Sequence, residues 1–236
     1  MPTLFAPAKL TISLRVTGVR PDGLHLIDAE MVTLDFGDRL EVEPGGSGLE
    51  VEVGGQRSAG DANDLVVRAL ELTGRRAGVV LHKRIPAGAG LGGGSSDAAA
   101  VLRWAGWSDE SRAVTLGADV PFCLLGGRAR VRGIGEVVDP LPFREQTVTL
   151  FTPPVHCSTP RVYAAWDEMG GPSGEYGNDL EPAALTVAPE LARWRDEFAS
   201  ATGEWPQLAG SGSTWWVRGA HPGPGHVVAR ATPPML

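Results

Sequence analysis

Residues 86–97 read PAGAGLGGGSSD, with five glycines in the seven positions from Gly88 to Gly94, followed by Ser95, Ser96 and Asp97. Glycine gives up more backbone freedom on folding than any other residue, so a run this dense has a use. Upstream, residues 78–85 (GVVLHKRI) are β-branched and aliphatic and predict a strand. Downstream, a helix is expected from about Ser96 to Trp104. The loop therefore leads from a strand into a helix N-terminus. Successive backbone N–H groups and the positive end of the helix dipole favour an anion there. With no Cβ at Gly88, Gly90, Gly92, Gly93 and Gly94, backbone can approach phosphate oxygens closely, and Pro86 and Leu91 belong to the same candidate cradle. Ser95 and Ser96 add hydroxyls at the expected cap, within reach of a Mg²⁺ carried on the phosphates.

Two better-known phosphate loops compete. A P-loop needs G-x-x-x-x-G-K-[ST]; Gly88 and Gly93 have the spacing, but Gly94 stands where the lysine is required. Gly88, Gly90 and Gly93 match G-x-G-x-x-G. A Rossmann strand, however, runs straight into the first glycine, whereas Arg84-Ile85-Pro86-Ala87 intervene here and a long β-rich stretch precedes them. A flexible surface loop is the bland alternative, though such loops seldom separate an aliphatic strand from a well-capped helix.

Working outward, Leu10–Thr17 alternates as a strand and Arg20-Pro21-Asp22-Gly23 reads as a turn. Ala29–Asp35 and Arg39–Val53 supply further strands, split by Gly37-Asp38 and by Pro44-Gly45-Gly46. Asn63 or Asp64 caps a helix to about Leu72, and Ser108 caps a short one ending at Gly117. Arg128–Arg132 reads as a strand, and the Pro-rich stretch 137–144 as the connection between a domain of residues 1–144 and one of residues 145–236. In the second, Thr147–Phe151 is a strand, Thr159 with Pro160 has the look of an N-cap, and Asn178 and Glu181 have capping-box spacing. A second glycine loop, Leu208–Ser213, precedes a strand at Trp215–Arg218. The expected class is α+β.

Composition narrows the function. Apolar residues at 42% allow a real core, and charged residues at 21% argue against disorder. No run of about 18 apolar residues predicts a membrane span, and MPTLFAPAKL lacks a signal-peptide pattern. Cys123 and Cys157 are the only cysteines and fit a reducing cytoplasm without a metal cluster. A net charge of −7 without a basic tract speaks against a nucleic-acid partner. Of 21 basic residues only Lys9 and Lys83 are lysines, compact ammonium groups in a chain that otherwise uses the arginine fork.

The stretch KRIPAGAGLGGGSSDAA resembles the second motif of the GHMP kinase superfamily, of galactokinase, homoserine kinase and mevalonate kinase type. The LGGGSSDAA ending is similar to the branch that phosphorylates the 2-hydroxyl of a diphosphocytidyl-linked methylerythritol in the non-mevalonate isoprenoid route. PAKLTISLRVTGVRPDGLHLI, NDLVVRAL, TLGADVPF, STPRVY, NDLEPAA and LAGSGST resemble further family segments in the same order, from Pro7 to Thr214. The resemblance implies an N-terminal domain like ribosomal protein S5 domain 2 and a ferredoxin-like C-terminal domain. It implies ATP and Mg²⁺ as cosubstrates, a cytidyl-phosphate small molecule as acceptor, a cytoplasmic location, and a monomer or weak homodimer.

By the same resemblance Asp119 is the catalytic aspartate, with Lys9 beside it and the reacting hydroxyl. Lys83 and Asn63 lie on the adenine side. His25 hydrogen-bonds the cytosine, and Thr159 and Tyr163 wall its pocket. Gly210-Ser211-Gly212 packs a second glycine turn against the phosphate loop. From the residues alone, Asp119 reads first as a cap after Gly117 and Lys9 as a solvated strand end, while Tyr163 also reads as helix core and Gly210–Gly212 as a hairpin turn; the resemblance reverses the reading of Asp119. Leu24 stands where the family has Tyr, and the chain is short between the helix after Ser96 and Thr115. A kinase for another small alcohol, and a nucleotide-binding relative without catalysis, remain the alternatives.

Overall fold

One long antiparallel pair founds the structure, a computed structural model that describes residues 1–107 and 109–235. Strand β1 (Thr3–Val19) turns at Arg20–Leu24 and returns as β2 (His25–Pro44). The break expected at Gly37-Asp38 does not occur. Gly37 lies opposite Pro7, where an added Cβ would come 2.7 Å from Pro7 Cα, so glycine lets the strands stay in contact. Asp38 is buried and accepts the backbone N–H groups of Arg84 and Ile85, which satisfies a carboxylate inside a sheet. The register slips between Pro7 and Lys9, a bulge of the kind that re-aims a side chain.

The chain continues through β3 (Leu49–Val53), β4 (Gln56–Ala59), α1 (Leu65–Thr73) and β5 (Ala77–Lys83). Asp64 caps α1, accepting from Val66 N at 2.8 Å. After the glycine loop comes α2 (Gly93–Trp104), which starts three residues before Ser96; its N-cap is Gly92, at φ 67°, with no side-chain cap. The hydroxyls expected at the cap are therefore not there. Ser96 to Leu102 are all buried, since small alanines let α2 lie close on β1. Next are α3 (Glu110–Ala113), with Asp109 as its cap, α4 (Val120–Leu125), β6 (Arg128–Gly133) and β7 (Val137–Pro140). The cap expected at Ser108 falls outside the described residues. The Pro-rich connection opens with a strand, β7, antiparallel to β6. The sheet order is β4-β3-β5-β2-β6-β7, with β1 on β2.

A four-stranded antiparallel sheet follows, ordered β11-β8-β10-β9. Its elements are β8 (Thr147–Phe151), α5 (Thr159–Glu168), α6 (Glu181–Val187), α7 (Glu190–Thr202), β9 (Gln207–Leu208), β10 (Trp215–Arg218) and β11 (His226–Arg230). Two expected caps move. Ser158, not Thr159, is the N-cap of α5, and Leu180 takes that position for α6. Asn178 does accept from Leu180 N at 3.0 Å, but its amide points elsewhere and Glu181 is buried, so no capping box forms.

Period-two alternation in β10 splits the core. Trp215 packs with Val162, Leu191, Phe198 and Leu208, whereas Trp216 faces a second cluster with Leu10, Val32, Leu34, Val148 and Leu150. That second cluster joins the two sheets, and Ile85, Ala89 and Leu91 of the glycine loop are buried in it. The loop is thus pinned at its apolar positions.

Candidate active site

The two glycine loops are bonded to each other. Ser213 N donates to Gly88 O at 3.1 Å and Thr214 N to Ala89 O at 3.2 Å. Gly90, at φ 75°, abuts the carbonyls of Ala209 and Gly212 so closely that any Cβ would overlap them. Asn178 supports the second loop, its amide donating to Leu208 O at 2.9 Å and Gly210 O at 2.7 Å. Thr159 Oγ1 and Ser211 Oγ lie 2.8 Å apart, tying the start of α5 to the same loop.

A cleft of about 1260 Å³ opens beside these loops. Of the residues expected at the site, all line it except Asn63, Ser96 and Gly212. Asn63 is exposed to solvent, and its neighbours Asp64 and Leu65 line the cleft in its place. Ser96 lies beneath the loop, fully buried, donating to Pro7 O at 2.6 Å. Gly212 sits behind Gly90, with its N–H on Ala209 O at 3.0 Å.

Lys9 follows the β1 bulge and is 5% exposed. Its Nζ lies 3.3 Å from Asp119 Oδ2 and donates to Thr11 Oγ1 at 3.1 Å. Its backbone N–H donates to Leu91 O at 3.0 Å, which fixes it to the glycine loop. Asp119 precedes α4, yet among the described residues its side chain makes no cap bond, and it turns to Lys9 instead. Its carboxylate keeps 31% of its surface open, so Asp119 is free to meet a ligand while a buried ammonium holds it in place.

Lys83 lines the cleft with its head already engaged, by Asp38 and by Asp97 Oδ2 at 2.7 Å. Burial opposes the ammonium, but the charges of Asp97 and Asp38 outweigh it and hold Lys83 above the ordinary lysine value. Burial pushes the Asp97 carboxyl up to about 7; Lys83 opposes the rise and Asp38 adds to it. Among the described residues Asp97 Oδ1, which is buried, has no hydrogen-bond partner.

At the other end of the cleft, His25 Nε2 lies 2.9 Å from Asp167 Oδ1, and its ring lies 4.5 Å from that of Tyr163. One face of Tyr163 is therefore covered by His25. Burial, with the Asp119 charge adding, pushes the Tyr163 phenol up to about 12, so it stays protonated. Leu24 stands half exposed at the rim.

Sequence reasoning missed Asp38, Asp97, Asn178 and Asp167. Asp38 was hidden in an apparent turn, and Asn178 in an apparent cap. Asp97 stood in the quoted loop with no role. Asp167 had one available signal, its place four residues after Tyr163 on a helix, which puts both on one face.

Residues 64–127 match the GHMP kinases N-terminal domain, a stretch that holds the glycine loop and Asp119. Fold and site thus define a GHMP kinase, an ATP-dependent small-molecule kinase. The 4-diphosphocytidyl-2-C-methyl-D-erythritol kinase of Paracoccus denitrificans is 38% identical over 231 residues, 89% of this chain and 84% of that protein. Its namesake in Cereibacter sphaeroides (strain ATCC 17029 / ATH 2.4.9) is 38% identical over 245 residues, covering 91% and 88%. A crystal structure of 4-(cytidine 5'-diphospho)-2C-methyl-D-erythritol kinase superposes with a TM-score of 0.77 at 32% identity, over 98% of this chain and 99% of that one. The chain belongs to the 4-diphosphocytidyl-2-C-methyl-D-erythritol kinase family.

Proposed function

We propose that this chain transfers the γ-phosphoryl group of ATP to the 2-hydroxyl of 4-diphosphocytidyl-2-C-methyl-D-erythritol, giving the 2-phosphate and ADP in the non-mevalonate isoprenoid route. The observation that carries the reading is the Lys9–Asp119 pair, 3.3 Å apart, beside the glycine cradle in one cleft. Phosphoryl transfer asks a protein mainly to position groups and to balance charge. The cradle N–H groups hold the phosphates, and Val51, Leu65 and Leu81 offer an apolar slot for adenine. Asp119 orients the acceptor hydroxyl and takes its proton late, as P–O cleavage advances. Lys9 holds that carboxylate in place and offsets negative charge on the moving phosphoryl group.

Among the described residues no group of three His, Cys, Asp or Glu is placed to hold a metal ion. Mg²⁺ would therefore ride on the ATP phosphates, with the Ser95 hydroxyl as the protein oxygen on offer, and would neutralise phosphate charge there. His25, Tyr163 and Thr159 would receive the cytidyl end, and Leu24 would cover it by apolar contact in place of an aromatic ring.

ADP release measured over a panel of alcohols tests this. Turnover is expected with the diphosphocytidyl substrate, and Asp119→Asn should lower kcat by roughly a hundredfold or more while ATP still binds. Turnover of another alcohol alone would place the chain with a different acceptor. A variant with near-normal kcat would remove Asp119 from the chemistry.

A further inference from the structure

The His25 imidazole is held from three directions by one helix face. Tyr163 lies 4.5 Å away, centroid to centroid, tilted by 35°. Trp166 meets the ring edge-on at 5.7 Å. Asp167 Oδ1 lies 2.9 Å from Nε2. The three partners stand at i, i+3 and i+4 on α5, the spacing that puts side chains side by side. The His25 side chain is 11% exposed and the Asp167 carboxylate 49%, and both line the cleft. A ring so placed has lost its rotational freedom, and what it offers a ligand depends on which nitrogen bears the proton.

An ionised carboxylate can only accept a hydrogen bond. Nε2 therefore carries the proton in the contact with Asp167. In the neutral ring Nδ1 is then a lone-pair acceptor. Among the described residues Nδ1 has no hydrogen-bond partner.

We infer that Asp167 is a specificity-determining residue: by holding the Nε2 proton of His25 it leaves Nδ1 as an acceptor, so that the cleft takes an amino-bearing pyrimidine and rejects its carbonyl counterpart. Cytosine presents an N4 amino donor where uracil presents the O4 acceptor. Against Nδ1 the first makes a hydrogen bond. The second sets two lone pairs face to face and leaves both unpaired, which costs more than a missing contact. The inference rests on the cytidyl substrate proposed above and adds to it how the base is told from uracil. Asp167 acts through His25 and is a positioning residue.

Binding of cytidine and uridine 5′-diphosphates, measured calorimetrically at pH 8 with ADP saturating the ATP side, tests the inference. The unmodified protein should prefer the cytidine nucleotide. Asp167→Ala should lower that preference roughly three- to tenfold, the scale of one hydrogen bond. Asp167→Asn keeps an oxygen that accepts from Nε2 and should restore most of it. Nitrogen-15 spectra of the His25 ring give a readout that packing alone would not move: a protonated Nε2 and a pyridine-type Nδ1, mixing with the other tautomer in Asp167→Ala. A protonated Nδ1 in the unmodified protein would overturn the inference. So would Asp167→Ala with an undiminished preference, or with both affinities lowered equally, and either leaves the proposed reaction standing. An unmodified protein that does not distinguish the two nucleotides would overturn the inference together with the substrate reading.

Discussion

Three charged groups meet under the glycine loop: buried Asp38 and Asp97 share the single ammonium of Lys83, which lines the cleft. Two carboxylates and one cation leave a net negative charge where both carboxylates are shielded from water, and the protein answers by holding a proton on Asp97 up to about 7 against an ordinary 3.8. The folded state thus binds that proton more tightly than the unfolded chain. Stability contributed by the protonated carboxyl is present at low pH and declines as pH rises from 3.8 towards about 7. Asp97→Asn keeps the shape, stays neutral at every pH and leaves Lys83 with Asp38. It should flatten the decline in urea midpoint between pH 5 and pH 8. Glu181, pushed up to about 7 chiefly by burial, has the same sign and will leave a residual slope. Equal slopes in the two proteins would show that Asp97 ionises normally.

The glycine loop works as an element because its two kinds of residue do opposite things. Ile85, Ala89 and Leu91 anchor it in the core that joins the sheets. Gly92 turns left-handed at the head of α2, where a Cβ would sit 2.7 Å from Lys9 Cγ. Gly92→Val therefore meets two obstacles, a φ that β-branched residues avoid and the stem of Lys9. ATP affinity should fall at least tenfold and kcat with it, since displacing Lys9 also disturbs Asp119. ATP titration alongside thermal melting checks this, and normal ATP binding would mean that the loop is not the cradle.

How much could be read beforehand follows from the range of each interaction. The loop, the strand before it and the helix after it were legible because glycine spacing and hydrophobic period are local. Gly37-Asp38 was not, because the reason the strand continues there lies on Pro7 and on the N–H groups of Arg84 and Ile85. Asn178 had the spacing of a cap, but its amide is used on a loop some thirty residues away, at Leu208 and Gly210. The Lys9–Asp119 pair was expected only through family resemblance. No local pattern shows that a strand-end lysine and an aspartate more than a hundred residues later converge.

At the scale of the whole molecule, apolar clusters join the two sheets and residues 231–235 clasp the larger one. Ala231 bridges to Leu34, and Thr232 N donates to Thr33 O at 2.8 Å. Pro234 pairs with Gly126, and Met235 N donates to Leu125 O at 3.1 Å. Gly126 closes α4, and a Cβ there would meet Met235 Cε at 2.8 Å, so the tail braces the far end of the short helix that carries Asp119 at its start. A chain ending at Arg230 loses these contacts together. Its unfolding free energy should drop by on the order of 1–3 kcal/mol and its Tm by about 5 °C. Because the brace acts on α4 and not on the cradle, kcat should fall while KM for ATP stays near its original value. Calorimetric melting and steady-state kinetics of the shortened chain decide the matter. An unchanged Tm would mean that the tail only rests on the sheet, and a raised KM for ATP with normal kcat would mean that it supports the nucleotide side of the cleft instead of Asp119.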